Sequence, residues 1–328
     1  MRTKFSFATI AAIVAIFFLS CKKNQVAIDF TNAKGEVPQL GNLVFRFNKL
    51  LIADSLVDDW DSTEYISFDP AIPGRFRWSG PDELVFSPSR PLSPATTYKV
   101  NIEDEVLRYS SYDKIKAENL KFYTASLQLA DAQVIWMLKD ETSKSAVPQI
   151  NLKFNYAVKP EGIKDKLRIE IDGKETDYTM QTLSASNDIG IRLNAFRVED
   201  KNHEAKITID EGLAAEGGRN NTDDKIITTV SIPSPFALNI SEVQAEHDGS
   251  EGVVHVNTSQ QLTGENIKSY FEFDPAVSYT VEPSPTGVVL RSDKFNAENS
   301  YALTIKKGLR GKVGGVLKED YNGGVAFG

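Results

Sequence analysis

The chain repeats itself about every 100 residues, and this self-similarity limits the fold more than any single residue does. One unit contains Leu43-Val-Phe-Arg-Phe-Asn48, Tyr65-Ile-Ser-Phe-Asp-Pro-Ala71, Glu83-Leu-Val-Phe86 and Tyr98-Lys-Val-Asn-Ile102. Another contains Val253-Val-His-Val-Asn257, Tyr270-Phe-Glu-Phe-Asp-Pro-Ala276, Val288-Val-Leu290 and Tyr301-Ala-Leu-Thr-Ile305. The tetrapeptide Phe-Asp-Pro-Ala recurs whole, and 30 positions separate Phe68 from Tyr98 against 28 between Phe273 and Tyr301. A more diverged middle unit keeps the order as Ile150-Asn-Leu-Lys-Phe-Asn155, Leu167-Arg-Ile-Glu-Ile171, Ile189-Gly-Ile-Arg-Leu193 and Ala205-Lys-Ile-Thr-Ile209. Its last run continues into Asp210-Glu-Gly-Leu213, matching Lys306-Lys-Gly-Leu309. Each unit closes with one more run: Leu120–Thr124, Ile226–Ile232 and Gly324–Phe327.

Nearly every run alternates apolar with polar, as in Leu167, Ile169 and Ile171 against Arg168 and Glu170. That period of two puts one face on a core and the other in water, which is the pattern of a half-buried strand. The runs are bounded by turn-forming clusters such as Pro70-Ala-Ile-Pro-Gly74 and Gly217-Gly-Arg-Asn-Asn-Thr222. No long amphipathic helix interrupts them, and Ser110 to Glu118 reads as a turn of helix or a loop. Many short strands without helices between them predict an all-β chain of tandem Ig-like or fibronectin III-like antiparallel sandwiches. Cys21 is the single cysteine, so no inter-sheet disulfide is possible and the cores must be held by packing alone. Trp78, Phe86 and Tyr98 are the expected centre of the first core, and Phe271 or Phe273 with Tyr301 that of the third. The expected modules are 21–125, 126–233 and 234–328, behind a leader at 1–20. Short linkers, Ala125–Leu129 and the proline-stiffened Ile232-Pro-Ser-Pro-Phe236, predict a semi-rigid string.

Cys21 is also the expected first residue of the mature chain. Arg2 and Lys4 precede the apolar run Phe5–Leu19, which is the layout of a secretory signal and is short for a membrane span. Phe18-Leu19-Ser20-Cys21 resembles a bacterial lipobox, with Phe18 where Leu is usual, so Cys21 is the expected lipidation site. No acidic residues follow directly, since Lys22-Lys23-Asn24-Gln25 come next. The expected location is therefore the outer membrane, on its periplasmic side. One acyl chain binds a membrane marginally, and two or more signals hold it firmly.

The net charge of −8 argues against nucleic acid as a partner. No catalytic, cofactor or metal site is expected. His203, His247 and His255 stand apart from one another, and no convergent nucleophile, base or metal set is visible, so an enzyme is the least favoured reading. Gly308-Leu-Arg-Gly-Lys-Val-Gly-Gly315 looks like a phosphate loop, but Val316-Leu-Lys-Glu-Asp320 beyond it does not read as a helix, so a strand-connecting loop is expected. The acidic loop Asp54, Asp58, Asp59, Asp61 and Glu64 supplies the oxygens calcium wants but lacks the spacing and glycine of an EF-hand, so a solvated loop is expected. Trp60 within that loop, and Trp136, are the two aromatics whose exposure would favour a glycan or partner contact.

The first unit resembles the start of bacterial α2-macroglobulin-family lipoproteins of the Bacteroidetes type. Ile28-Asp-Phe30, Gly35 to Phe47, Trp60-Asp-Ser-Thr63, Ile66-Ser-Phe-Asp-Pro70, Phe76-Arg-Trp78 and Leu84-Val-Phe-Ser-Pro88 through Tyr98 carry the resemblance. The Phe-Asp-Pro, Trp, Leu-x-Phe-x-Pro and Tyr-x-Val order is also similar to bacterial Ig-like domains of the S-layer type. Such family members are anchored protease traps, in many cases with a Cys-x-Glu-Gln thioester. This sequence has no second cysteine and hence no thioester, and it has no evident bait segment. The resemblance implies an N-terminal, membrane-anchored spacer region of a longer inhibitor, whose protease target is met beyond residue 328. The alternatives left open are an Ig-like adhesin or scaffold of the cell envelope and a glycan-binding surface lipoprotein.

Overall fold

A computed structural model describes residues 25–116, 118–140, 142 and 145–327. The leader and Cys21 lie outside the described residues. Strands make up half of the structure and helix a twentieth of it, as the alternating runs require. The chain divides into two compact units: residues 1–126 with 217–221, and residues 127–216 with 222–328.

The first unit is a sandwich. Its five-stranded sheet runs in the order Ile28–Thr31, Leu43–Phe47, Glu83–Pro88, Gly74–Gly80 and Trp60–Asp61. Its four-stranded sheet runs Gly35–Glu36, Leu120–Tyr123, Thr97–Ile102 and Ile66–Asp69, with all but the first pair antiparallel. The alternation works as read: Leu43, Phe45 and Phe47 are buried while Arg46 is exposed. The core gathers Trp78, Phe86 and Tyr98 as expected, with Tyr65, Phe68 and Phe122. Tyr98 stacks on Phe122 at 4.9 Å, and Tyr65 meets Trp78 edge-on at 5.7 Å. Such ring pairs add about 0.5–1.5 kcal/mol beyond the area they bury.

The second unit holds two further sheet pairs. One sheet runs Leu129–Leu138, Ala146–Val158, Ser186–Leu193 and Tyr178–Met180, and the other Lys174–Glu175, Leu167–Ile171, His203–Ile209 and Ile226–Ile232. These bury Ile150, Leu152, Phe154, Ile169, Ile189, Ile191 and Ile207. The last pair is Ile240–His247, Gly252–Thr258, Gly287–Ser292 and Thr280–Ser284 against Phe271–Asp274, Ser300–Ile305 and Tyr321–Ala326. Its core contains Phe271, Phe273 and Tyr301, as the sequence predicts, and also Phe295 and Phe327.

The repeat holds at the level of single hydrogen bonds. Ser93 N–H donates to Tyr98 Oη, and Asn296 N–H donates to Tyr301 Oη, both at 2.9 Å and both across five residues. This reach of a buried tyrosine back to upstream backbone is the tyrosine corner of Ig-like sandwiches. Both copies of Phe-Asp-Pro-Ala carry a cis peptide, Asp69-Pro70 and Asp274-Pro275. The second and third sandwiches share another device. Gly212 and Gly308 take φ of +82° and +92°, which the absent side chain permits. Their N–H groups donate to Thr222 O and Leu317 O, and the buried Leu213 and Leu309 accept from those same two residues.

Of the two readings of Ser110–Glu118, its described residues follow the loop, apart from residues 114–115, and a turn of 3-10 helix lies earlier, at Asp104–Leu107, where Val106 and Leu107 are buried. Residues 114–115 instead pair with Gln25–Val26. The single α-helix among the described residues is Pro160–Lys164, opened by proline at its first position, where the missing N–H costs nothing.

Candidate functional site

The most highly built region outside the three cores is the joint within the second unit, where the linker Ile232–Phe236 meets strand Leu129–Leu138 and the turn after Thr258. Apolar periodicity brings Trp136 inward on its strand, and it is 1% exposed. Its indole Nε1–H donates to Pro233 O at 2.8 Å, and its backbone N–H donates to Ser259 O at 2.7 Å. One residue thus ties the second sandwich to both the linker and the third. Phe196 packs edge-on against the Trp136 ring at 5.5 Å, and His203 against Phe196 at 5.0 Å. Trp136 is therefore excluded as an exposed platform for a glycan, because the ring is buried and its single side-chain donor is committed to the joint.

Gln260 is the second clamp. It is fully buried, so both ends of its amide must be satisfied. Nε2 donates to Pro235 O at 2.6 Å, and Oε1 accepts from Gly315 N–H at 3.0 Å. Gln260 explains two glycines of the segment Gly308–Gly315. A Cβ on Gly311 would lie 2.2 Å from Gln260 Oε1, and one on Gly315 would lie 2.1 Å from Gln260 Nε2. The segment forms the expected strand-connecting loop: Arg310–Gly311 pairs with Leu262–Thr263. Ser234, in the middle of the linker, is held by Asn202 through its N–H and by Asp200 through its hydroxyl. Pro233, Ser234 and Pro235 are therefore each fastened. Sequence reading missed Gln260 because a lone glutamine carries no signal; the glycines facing it were the visible trace.

Beside the joint lies an open cleft of about 820 Å³ lined largely by side-chain amides and hydroxyls. Glu242 stands at its edge and accepts from Gln133 Nε2 at 3.1 Å, Asn257 Nδ2 at 3.2 Å and Gln244 Nε2 at 2.6 Å.

The remaining candidates make contacts of their own. Within the acidic loop, Asp54–Leu56 forms a turn of 3-10 helix and Trp60–Asp61 an edge strand. Asp61 is used internally, accepting from Thr63 N–H at 2.6 Å and Tyr65 Oη–H at 2.9 Å. Burial, then this carboxylate, pushes the Tyr65 phenol up. Asp58 pairs with Arg77 at 3.4 Å. Among the described residues, no group of three or more His, Cys, Asp or Glu is placed to hold a metal ion. Trp60 is 41% exposed, with the Arg77 and Arg75 guanidinium carbons 5.1 and 5.8 Å from its ring centre. The three histidines make separate contacts: His203 Nδ1 with Asp172 at 2.7 Å, His247 with Phe295 O at 3.1 Å, His255 with Glu246 at 3.4 Å. Asp172 is held below the usual carboxylate range by the Glu204 backbone N–H and then by His203.

Fold and joint together define a tandem β-sandwich protein. No family model matches the chain. It is 22% identical over 278 residues to an Alpha-2-macroglobulin of Pasteurella multocida (strain Pm70), covering 80% of this chain and 14% of that protein. It is 22% identical over 233 residues to an Alpha-2-macroglobulin of Rickettsia conorii (strain ATCC VR-613 / Malish 7), covering 64% and 12%. An Alpha-2-macroglobulin homolog of Yersinia pestis matches at 24% over 218 residues, covering 62% and 11%. On that agreement the chain is similar to bacterial α2-macroglobulins, and it spans about a seventh or less of these relatives' length. Among solved structures, an L,D-transpeptidase from Mycobacterium tuberculosis H37Rv aligns over 52% of this chain and 77% of its own at 12% identity and a TM-score of 0.21, a value too low to carry an argument.

Proposed function

We propose that the chain is the membrane-anchored spacer and scaffold region of a bacterial α2-macroglobulin-like protease inhibitor of the cell envelope. It would be built as three modules, 21–125, 126–233 and 234–328, behind the leader 1–20. The observation that carries this reading is the doubly clamped linker. A tether that only needed to reach would leave Ile232–Phe236 slack, whereas Trp136 and Gln260 donate to its carbonyls and Asn202 and Asp200 accept from Ser234. A fixed joint between the second and third modules suits a part that must hold those neighbouring modules in one mutual orientation. In this reading Cys21 carries the lipid, the arm stands on the periplasmic side of the outer membrane, and no residue of it is catalytic. The protease is a partner of the whole inhibitor rather than of a site in this arm.

Labelling growing cells with an alkyne-bearing palmitate tests the anchored reading. The full chain is expected to carry the label and to sediment with membranes, and Cys21→Ala to lose both. An unlabelled wild-type chain released into the soluble fraction would end it.

A further inference from the structure

The amide-lined cleft carries an inference that does not depend on the spacer reading. Its floor is the outer face of the sheet Leu129–Leu138, Ala146–Val158, Ser186–Leu193 and Tyr178–Met180. Alternation places Gln133, Gln149, Asn151, Lys153 and Asp188 on that face, and the register sets Gln133 opposite Asn151 and Asn151 opposite Gly190. Gly190 keeps the floor open, since a Cβ there would come within 3.2 Å of Gln149 Nε2. Glu242, Gln244, Asn257 and Thr286 form the facing wall.

The hydrogen bonds decide which chemistry the cleft presents. A carboxylate only accepts, so each amide bound to Glu242 turns its nitrogen toward it and its oxygen away. Gln133 and Gln244 are fixed in this sense. On the floor, Gln149 Nε2 donates to Asn151 Oδ1 at 2.8 Å and Gln181 Nε2 to Thr179 O at 3.3 Å. The Oε1 atoms of Gln133, Gln149, Gln181 and Gln244 are left without a partner among the described residues. Asp131 and Asp188 border the same cleft with no ion pair among the described residues, and Lys153 is its single cation. The surface is rich in acceptors and negative on balance, so it calls for a donor-rich cation. No aromatic side chain lines it, which leaves nothing for a sugar ring to stack on. A side-chain amide also matches the donor and acceptor of a peptide unit. Strands lie about 4.8 Å apart, so a row crossing four of them spans about 14 Å, the length of about four extended residues.

We propose that this cleft docks an extended polypeptide segment bearing lysine or arginine, gripped by the outward amide carbonyls and by Asp131 and Asp188. The probe is a fluorescein-labelled octapeptide of alternating Lys and Ser, titrated with the full chain by anisotropy at about 0.15 M salt. Saturable binding is expected. Gln149→Leu with Gln181→Leu removes two carbonyls from the floor, and Glu242→Gln lets Gln133 and Gln244 turn over; each is expected to weaken binding by about tenfold or more. Asp223→Asn with Asp224→Asn, outside the cleft, is expected to leave the affinity unchanged. Absence of saturable binding, equal loss in the outlying variant, full affinity in both cleft variants, or displacement of the peptide by maltoheptaose would each overturn the proposal. A cleft variant whose melting temperature falls is set aside in favour of the other, and full affinity in that remaining variant overturns the proposal on its own.

Discussion

The first and third sandwiches are fastened from within, and the second is fastened to its neighbour. Tyr98 and Tyr301 each reach back five residues to pin the chain entering their strands. At the matching position the second sandwich has Ala205, fully buried and too short to reach anything. Its large aromatic is Trp136, and both hydrogen bonds of that residue leave the sandwich, to Pro233 and Ser259. Repeats of one design have thus been put to two uses. A module with its own corner is pinned from within, whereas a module that places its anchor at a joint gains a fixed partner. The physical reason is simple: a buried donor must be paired, so wherever it is paired, geometry is fixed.

Breaking the joint is expected to have the largest effect. Trp136→Ala should cost about 3–5 kcal/mol, the range for truncating a buried tryptophan, while Trp60→Ala on the exposed edge strand should stay within about 0.5 kcal/mol. Thermal denaturation of the two variants measures the contrast directly, and similar losses would mean the two tryptophans are not differently placed. Next comes Gln260→Leu. It leaves Pro235 O and Gly315 N–H unpaired in a buried site, for about 1–3 kcal/mol each, and urea unfolding of the second unit should show it. Tyr98→Phe and Tyr301→Phe sharpen the other half of the comparison. Each removes one part-buried hydrogen bond to backbone N–H, so each should cost about 0.5–1.5 kcal/mol, with equal losses if the two corners are equivalent. The smallest effect belongs to an exposed cluster on the second sandwich. Arg168, bidentate at 2.8 Å on both oxygens, and then Lys225 hold the Asp210 carboxyl down to about 2. A folded value below the unfolded one means that this contribution is complete above the usual carboxylate range, about 3.9, and is lost as pH falls toward 2. Asp210→Asn should therefore lower the melting temperature slightly at pH 7, where the contribution is complete and solvent screening keeps it small, and the gap to the unaltered chain should close between about pH 4 and pH 2.

Much of this architecture was readable from the residues. Strand alternation at Leu43–Phe47 and Leu167–Ile171, and the recurrence of Phe-Asp-Pro-Ala with a tyrosine about 30 positions on, located the sheets and both tyrosine corners' side chains, because period and spacing are local properties. The joint was legible only in part. The two prolines marked a stiff linker, but what they are fastened to depends on Trp136, about 100 positions earlier, and on Gln260, whose partners come from separate segments. Non-local pairing of that kind leaves no periodic trace. Trp136 and Trp60 looked alike in sequence, since each is a single aromatic in a short run; the difference between them is which sheet face and which neighbour the fold supplies. The amide cleft was invisible for the same reason, being assembled from two sandwiches.

Everything proposed for the arm turns on the joint being fixed, and a distance across it is the direct test. In a Cys21→Ala background the chain has no other cysteine, so spin labels can be placed at Ile227→Cys and Ala302→Cys, both exposed strand positions on the second and third sandwiches. Pulsed electron-electron resonance on this chain should give one narrow distance distribution, which broadens when Gln260→Leu is added. A broad or multi-peaked distribution in the otherwise unaltered chain would contradict a fixed joint.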